Sequence, residues 1–169
     1  MSVQEPKPAN ATAVFPIPEA IGVYGALTFL AARCPLHGRY SAAQLNQCFM
    51  PAVEHGCVRL FQNADGLPCA ALIWARLSPD VSRRMIAENK PPAPADWVSG
   101  SQLWFMDILA PFGHGKVVAR HIARNPPEEA FHFARINSEG RVRKVINVDG
   151  PVGAVRRMQA RTGRDARKI

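Results

Sequence analysis

The sequence predicts an α/β fold of three layers, a mostly antiparallel central sheet flanked by helices. Three observations predict it. Two β-rich runs, 57–62 and 68–77, are joined by an Asp65-Gly66 turn signal, and a second pair, 130–136 and 141–148, flanks Ser138-Glu139-Gly140. The run Leu103-Trp104-Phe105-Met106-Asp107-Ile108-Leu109-Ala110 is apolar on both alternating faces, as a central strand covered on two sides must be. Helical spacing and capping residues separate these runs, giving the order α-α-β-β-α-β-α-β-β.

Each element has a local cause. Residues 1–18 hold four prolines and no periodicity, which predicts a mobile arm. Glu19 to Arg33 is a first helix, with Ile21, Tyr24, Leu27, Leu30 and Ala31 at helical spacing. Cys34-Pro35 ends it, because a residue before proline avoids helical angles. Ser41 caps a second helix that runs to about His55 and stops at Gly56. Pro51 predicts a kink or restart inside it. Ser78-Pro79-Asp80 opens a third helix. The segment Lys90-Pro91-Pro92-Ala93-Pro94 is a surface loop, too short to link two domains. Pro111 to Gly115 is a turn, and Lys116 to Arg124 a fourth helix.

Composition narrows the function. With 169 residues, 47% apolar and 20% charged, the chain is ordinary globular material with one core, read as a domain over 19–150. The formal charge is +8, and the tail 151–169 carries +5 of it without an interleaved aromatic residue. That tail could meet an acidic protein or a membrane surface; nucleic acid is the weaker partner, since no platform for base stacking exists there. Cys34, Cys48, Cys57 and Cys69 form no C-x-x-C pair and read as reduced thiols of a cytoplasmic protein. Only thirteen residues separate Glu19 from Arg33, too few for a transmembrane segment.

Asp107 is the most informative position. Strand alternation gives it Leu103, Phe105 and Leu109 as face-mates, so a carboxylate points into apolar surroundings and needs a donor. A histidine that it orients is the functional reading; a carboxylate binding loop amides is the plainer one. Five histidines compete. His37 sits in a short inter-helix loop, from which it can project into a cleft. His55 suits a helix C-terminus, His114 lies in a Gly-His-Gly turn, and His121 and His132 fall within helix and strand patterns. No metal-ligand spacing occurs. Gly113-His114-Gly115-Lys116 follows a strand and opens a helix, a geometry that offers backbone amides to an anion or simply makes a tight turn. Cys34, three residues before His37, could be an auxiliary nucleophile or a small buried apolar residue.

Pro35-Leu36-His37, then Asp96-Trp97-Val98-Ser99-Gly100, then Trp104-Phe105-Met106-Asp107 and Ala110-Pro111-Phe112-Gly113 resemble the RTX toxin-activating lysine acyltransferases in order and spacing, from about Ala20 to Val148. The chain departs from the family pattern at Cys34, Gly38 to Ser41, Leu72-Ile73, Ser101 and Ile108. The resemblance implies a fold similar to Gcn5-related N-acetyltransferases (GNAT-like). It implies a cytoplasmic enzyme that moves a fatty acyl group from acyl carrier protein to internal lysines of a protoxin, without a permanently bound cofactor, and a homodimer. Its catalytic histidine and aspartate fall on His37 and Asp107. The chemistry of the residues agrees. At neutral pH roughly one lysine in a few thousand is uncharged, so a base near neutrality must take the proton. His37 suits that role with Asp107 fixing its tautomer; His37 as acyl acceptor is the other possibility. Gly113, Gly115 and Lys116 would hold the phosphopantetheine phosphate. Two rivals stand beside this reading: an N-acyltransferase that uses acyl-CoA on another protein, and an inactive acyltransferase-like module that binds through its basic tail.

Overall fold

The computed structural model describes residues 17–136 and 142–148. The basic tail, the Ser138 to Gly140 turn and all but the end of the expected N-terminal arm lie outside the described residues. The elements run α1 (Pro18–Ala31), α2 (Ala42–Glu54), β1 (Val58–Gln62), β2 (Pro68–Leu77), α3 (Pro79–Glu88), β3 (Gln102–Leu109), α4 (Gly115–Arg124), β4 (Phe131–Ile136) and β5 (Val142–Val148). Short 3-10 turns at His37–Arg39 and Pro94–Asp96 complete the order.

Local chemistry sets the boundaries. α1 starts with Pro18 in its first turn, and Glu19 complements the positive end of the helix dipole. It stops at Ala31, two residues before the expected Arg33. The chain there tightens into three-residue turns, Arg33 N–H to Leu30 O and Cys34 N–H to Ala31 O, ahead of Pro35. α2 opens on a reciprocal cap: Gln44 N–H donates to Ser41 Oγ at 3.3 Å, and Ser41 N–H to Gln44 Oε1 at 2.8 Å. Pro51 does not restart α2, which is one helix from Ala42 to Glu54. So near the C-terminus its ring forfeits a single backbone donor, and its side chain is buried. α3 is capped by Ser78 Oγ, which accepts from Val81 N–H at 3.3 Å, and ends on Asn89 in the left-handed region at φ 51°.

The five strands pair in sequence order, β1-β2-β3-β4-β5. All neighbours are antiparallel except β3 and β4, which α4 connects in parallel. The sheet has a helical layer on each face, the three-layer α/β arrangement of a GNAT-like fold. On one face Ala71, Ile73, Ala75 and Leu77 of β2 pack with Trp104 and Leu109 against Leu27, Leu30, Phe49 and Val81 of the first three helices. On the other, Ala70 and Leu72 meet Val118 of α4.

The Asp96 to Gly100 block fastens these parts. Trp97 is fully buried and its indole N–H donates to Trp74 O at 2.9 Å. Ser99 Oγ accepts from Ser78 N–H at 3.1 Å. A Cβ on Gly100 would stand 2.6 Å from Ser78 Cα, so only glycine fits at that crossing.

Two features of β3 set the geometry around Asp107. Its parallel pairing with β4 covers three residue pairs, Leu103 with Phe131 through Phe105 with Phe133, and ends there. Beyond Phe105 the edge of β3 that faces away from β2 carries no strand partner among the described residues. The register with β2 also slips: Phe105 faces Trp74 and Asp107 faces Ile73, which leaves Met106 as the extra residue of a β-bulge.

Candidate active site

The bulge at Met106 decides where Asp107 points. Simple alternation would send Asp107 to the face of Leu103 and Phe105, as expected from the sequence. Instead it shares the face of its partner Ile73 and of Trp104 and Leu109, toward α1 and α2. The expected face-mates Leu103 and Phe105 pack on the opposite side with Phe131. One extra residue flips every side chain beyond it.

On that face Asp107 meets His37. The loop after α1 folds back on the helix: Gly38 N–H donates to Cys34 O at 2.8 Å, and a Cβ at Gly38 would lie 3.1 Å from Ala32 O. This tight return aims the His37 ring inward, edge-on to Tyr40 at 5.3 Å between centroids and beside Phe49 at 6.3 Å. Its Nε2 stands 2.7 Å from Asp107 Oδ2. Asp107 Oδ1 accepts from Ile108 N–H at 2.8 Å, so both carboxylate oxygens are held. The side chains of His37 and Asp107 are 10% and 27% exposed, sheltered yet reachable.

Two thiols flank the pair. Burial pushes the Cys34 thiol up; a backbone hydrogen bond at Ala110 opposes this, and the Asp107 charge adds to it. Burial, then Asp107, raises Cys48. Burial, then Cys48 and Asp107, raises Tyr40. Cys34 is thus a protonated thiol at neutral pH, beside the site but not activated as a thiolate. Tyr40 and Cys48 carried no motif of their own. Tyr40 follows the 3-10 turn His37–Arg39 and Cys48 lies on α2, so their meeting beside the pair is a tertiary fact.

The other histidines are elsewhere. His55 Nε2 lies 3.4 Å from Pro94 O, His121 packs on Phe61, and His132 Nδ1 lies 2.8 Å from Asn147 Oδ1. His114 caps the start of α4, with a buried Nδ1 that has no hydrogen-bond partner among the described residues. Gly113, at φ +82°, and Gly115 form the expected turn between β3 and α4, with Lys116 exposed at its end. Among the described residues no three His, Cys, Asp or Glu side chains converge to hold a metal, and no helix is long and apolar enough to cross a membrane. A cavity of about 610 Å³ lies elsewhere, between Gln47, Val81, Arg84, Met85, Lys90 and Pro92, and none of the site residues lines it.

A sheltered imidazole–carboxylate pair on the α1–α2 side of a GNAT-like sheet narrows the comparison with known proteins. Residues 18–149 match the RTX toxin acyltransferase family. The chain belongs to that family. It is 33% identical over 121 residues to the leukotoxin-activating lysine-acyltransferase LtxC of Aggregatibacter actinomycetemcomitans, covering 70% of this chain and 71% of the relative. It is 31% identical over 128 residues to the RTX-I toxin-activating lysine-acyltransferase ApxIC of Actinobacillus pleuropneumoniae, covering 76% and 74%. The protein-lysine myristoyltransferase HlyC of Escherichia coli is 27% identical over 134 residues, covering 79% and 78%. This member of the RTX toxin acyltransferase family is therefore an acyltransferase.

Proposed function

We propose that this acyltransferase moves a fatty acyl group from acyl carrier protein to internal lysines of an RTX-type protoxin in the cytoplasm, through one catalytic domain over residues 19–150. The names of its relatives support lysine as the acceptor and a toxin as the target. The single observation that carries the mechanism is the 2.7 Å contact between His37 and Asp107.

Asp107 occupies Nε2, which leaves Nδ1 as the nitrogen for substrate. The lysine nitrogen attacks the thioester carbonyl and its proton passes to His37 Nδ1. Asp107 stabilises the imidazolium so formed and fixes the ring. Backbone N–H groups of β3 beyond Phe105, where its pairing with β4 ends, would polarise the carbonyl. The carbon–sulfur bond then breaks, the amide remains on lysine, and the carrier thiolate takes the proton back from His37. Gly113, Gly115 and Lys116 at the start of α4 hold the phosphate of the carrier's arm. Cys34 is auxiliary: a protonated thiol that packs beside Asp107. The exposed Ile21 and Phe29 of α1 are the surface on which a homodimer would form.

The test is transfer of a labelled acyl group from acyl carrier protein to a protoxin fragment. His37→Ala and Asp107→Ala are each expected to lose about 10²–10⁴-fold in kcat/KM with unchanged circular dichroism, whereas Cys34→Ala stays within several-fold of the parent. Full activity in either of the first two variants removes that residue from the chemistry. Acyl-CoA serving as well as the carrier-bound donor would overturn the donor assignment.

A further inference from the structure

α4 presents one face to the sheet and, to solvent, a face whose charged residues are all cationic. Val118 is fully buried and Ile122 partly buried against Ala70, Leu72 and Phe105. Lys116, Arg120 and Arg124 are exposed. Steps of four residues drift by about 40° around a helix, so the three cations form a stripe opposite Val118, about 12 Å long. No Asp or Glu occurs from Ile108 through Pro127. The ion pairs among the described residues engage His37, Arg76, Arg83 and Arg84, and none of these three. Like charges four apart repel, and Lys116 stands in the first turn at the positive end of the dipole. Arg124 in the last turn suits the negative end of the dipole, but Lys116 and Arg120 gain nothing from the helix, and the stripe has no ion-pair partner among the described residues.

We propose that this stripe docks an acidic face of the carrier protein that delivers the acyl thioester; the inference rests on a carrier protein being the donor. Position supports it. α4 begins where β3 ends, with an added Cβ on Gly115 falling 3.9 Å from Ala110 Cβ, and Ala110 also contacts Cys34 beside Asp107. A carrier lying along Arg120 and Arg124 thus brings its phosphate-borne arm to Lys116 and the corner next to the reactive pair. At that same end Ile108, Phe112 and Val117 are exposed and give the arm and its acyl chain apolar contact. Nucleic acid fits less well, because no aromatic residue stands along the stripe to stack on bases. A membrane fits less well, because Val118 and Ile122, the apolar face of α4 opposite the stripe, are already packed on the sheet and only Val117 among the helix's larger apolar residues is left to insert.

The experiment uses the full chain and the double variant Arg120→Glu/Arg124→Glu, whose side chains face away from the core. With acyl carrier protein as donor, KM is expected to rise about tenfold or more with kcat within about twofold, and the steep salt dependence of kcat/KM to flatten. Transfer from acyl-pantetheine, which carries no protein, is expected to be unchanged. Binding of unacylated carrier, read by fluorescence anisotropy, is expected to weaken in parallel. An unchanged KM and binding constant, or equal losses with both donors, overturns the docking surface while the donor assignment stands. Parent protein that neither binds the carrier nor accepts acyl groups from it overturns the donor assignment, and the surface with it. A variant that retains carrier binding but loses binding to a DNA duplex or to phosphatidylglycerol vesicles reassigns the stripe and also overturns the proposal.

Discussion

A carboxylate set among thiols leaves a signature that can be read without substrate. Asp107 raises both Cys34 and Cys48, after burial in each case. Its removal as Asp107→Asn takes a negative charge from beside each thiol, which favours the thiolate, lowers the thiol pKa and raises the thiolate fraction at pH 8. Alkylation of Cys34 and Cys48 by iodoacetamide is therefore expected to quicken roughly two- to fivefold in that variant. Cys57, whose raised pKa comes first from burial and owes nothing to Asp107, is the internal control. Peptide mass spectrometry resolves the sites, and equal rates at all three thiols in parent and variant would place Asp107 away from the cysteines. The measurement needs neither donor nor acceptor and reports on the geometry of the site alone.

At the scale of elements, local signals fixed boundaries well and long-range geometry was hidden. Ser41 with Gln44, Asp65-Gly66 and Ser78-Pro79 act within four residues, and α2, β2 and α3 begin or end where those signals fall. The bulge at Met106 has no such mark, because a continuous apolar run looks the same with or without an extra residue. Yet that residue carries Asp107 to the face of His37, seventy positions earlier in the chain. Histidine and aspartate were legible as the right chemistry, and the family resemblance paired them; the face on which they meet needed the register. The parallel junction of β3 with β4 was hidden for the same reason, since pairing partners are not written in either strand. The Asp96 to Gly100 block was legible as a motif but not as a clamp. Its role gives a direct prediction: Gly100→Ala drives a methyl into the Ser78 backbone and is expected to cost about 1–3 kcal/mol. For a chain of this size that lowers the melting temperature by about 2–4 °C per kcal/mol. A variant that melts with the parent would show that the crossing is looser than the contact implies.

The described residues form two unequal parts joined along one seam. β1, β2 and β3 with the first three helices form one packed body, while α4, β4 and β5 attach through the three register pairs of β3 with β4, the packing of α4, an apolar cluster of Leu103, Phe105, Phe131 and Val148, and the ion pair of Arg76 with Glu129. In that pair Arg76 of β2 grips Glu129 with both guanidinium arms, at 2.9 and 2.6 Å, just before β4 begins. Side-chain hydrogen bonding to Arg76 holds Glu129 below the usual carboxylate range. A folded-state pKa that is depressed stabilises above the unfolded value and loses that contribution as pH falls through the folded one. Glu129→Gln is therefore expected to lower stability at pH 7 and to match the parent in acid, once pH has dropped well below the ordinary glutamate value of 4.5. Both side chains are more than a third exposed, so the loss at pH 7 belongs to the surface range of about 0.2–1 kcal/mol, and it shrinks further in high salt. Its location is the stronger test. Amide hydrogen exchange is expected to quicken in β4 and β5, which hang on the seam, and to stay at the parent rate in β2, which is paired on both sides. Exchange that quickens equally in β2 and β4 would mean that the sheet opens as one unit and that the seam is no weaker than the body it joins.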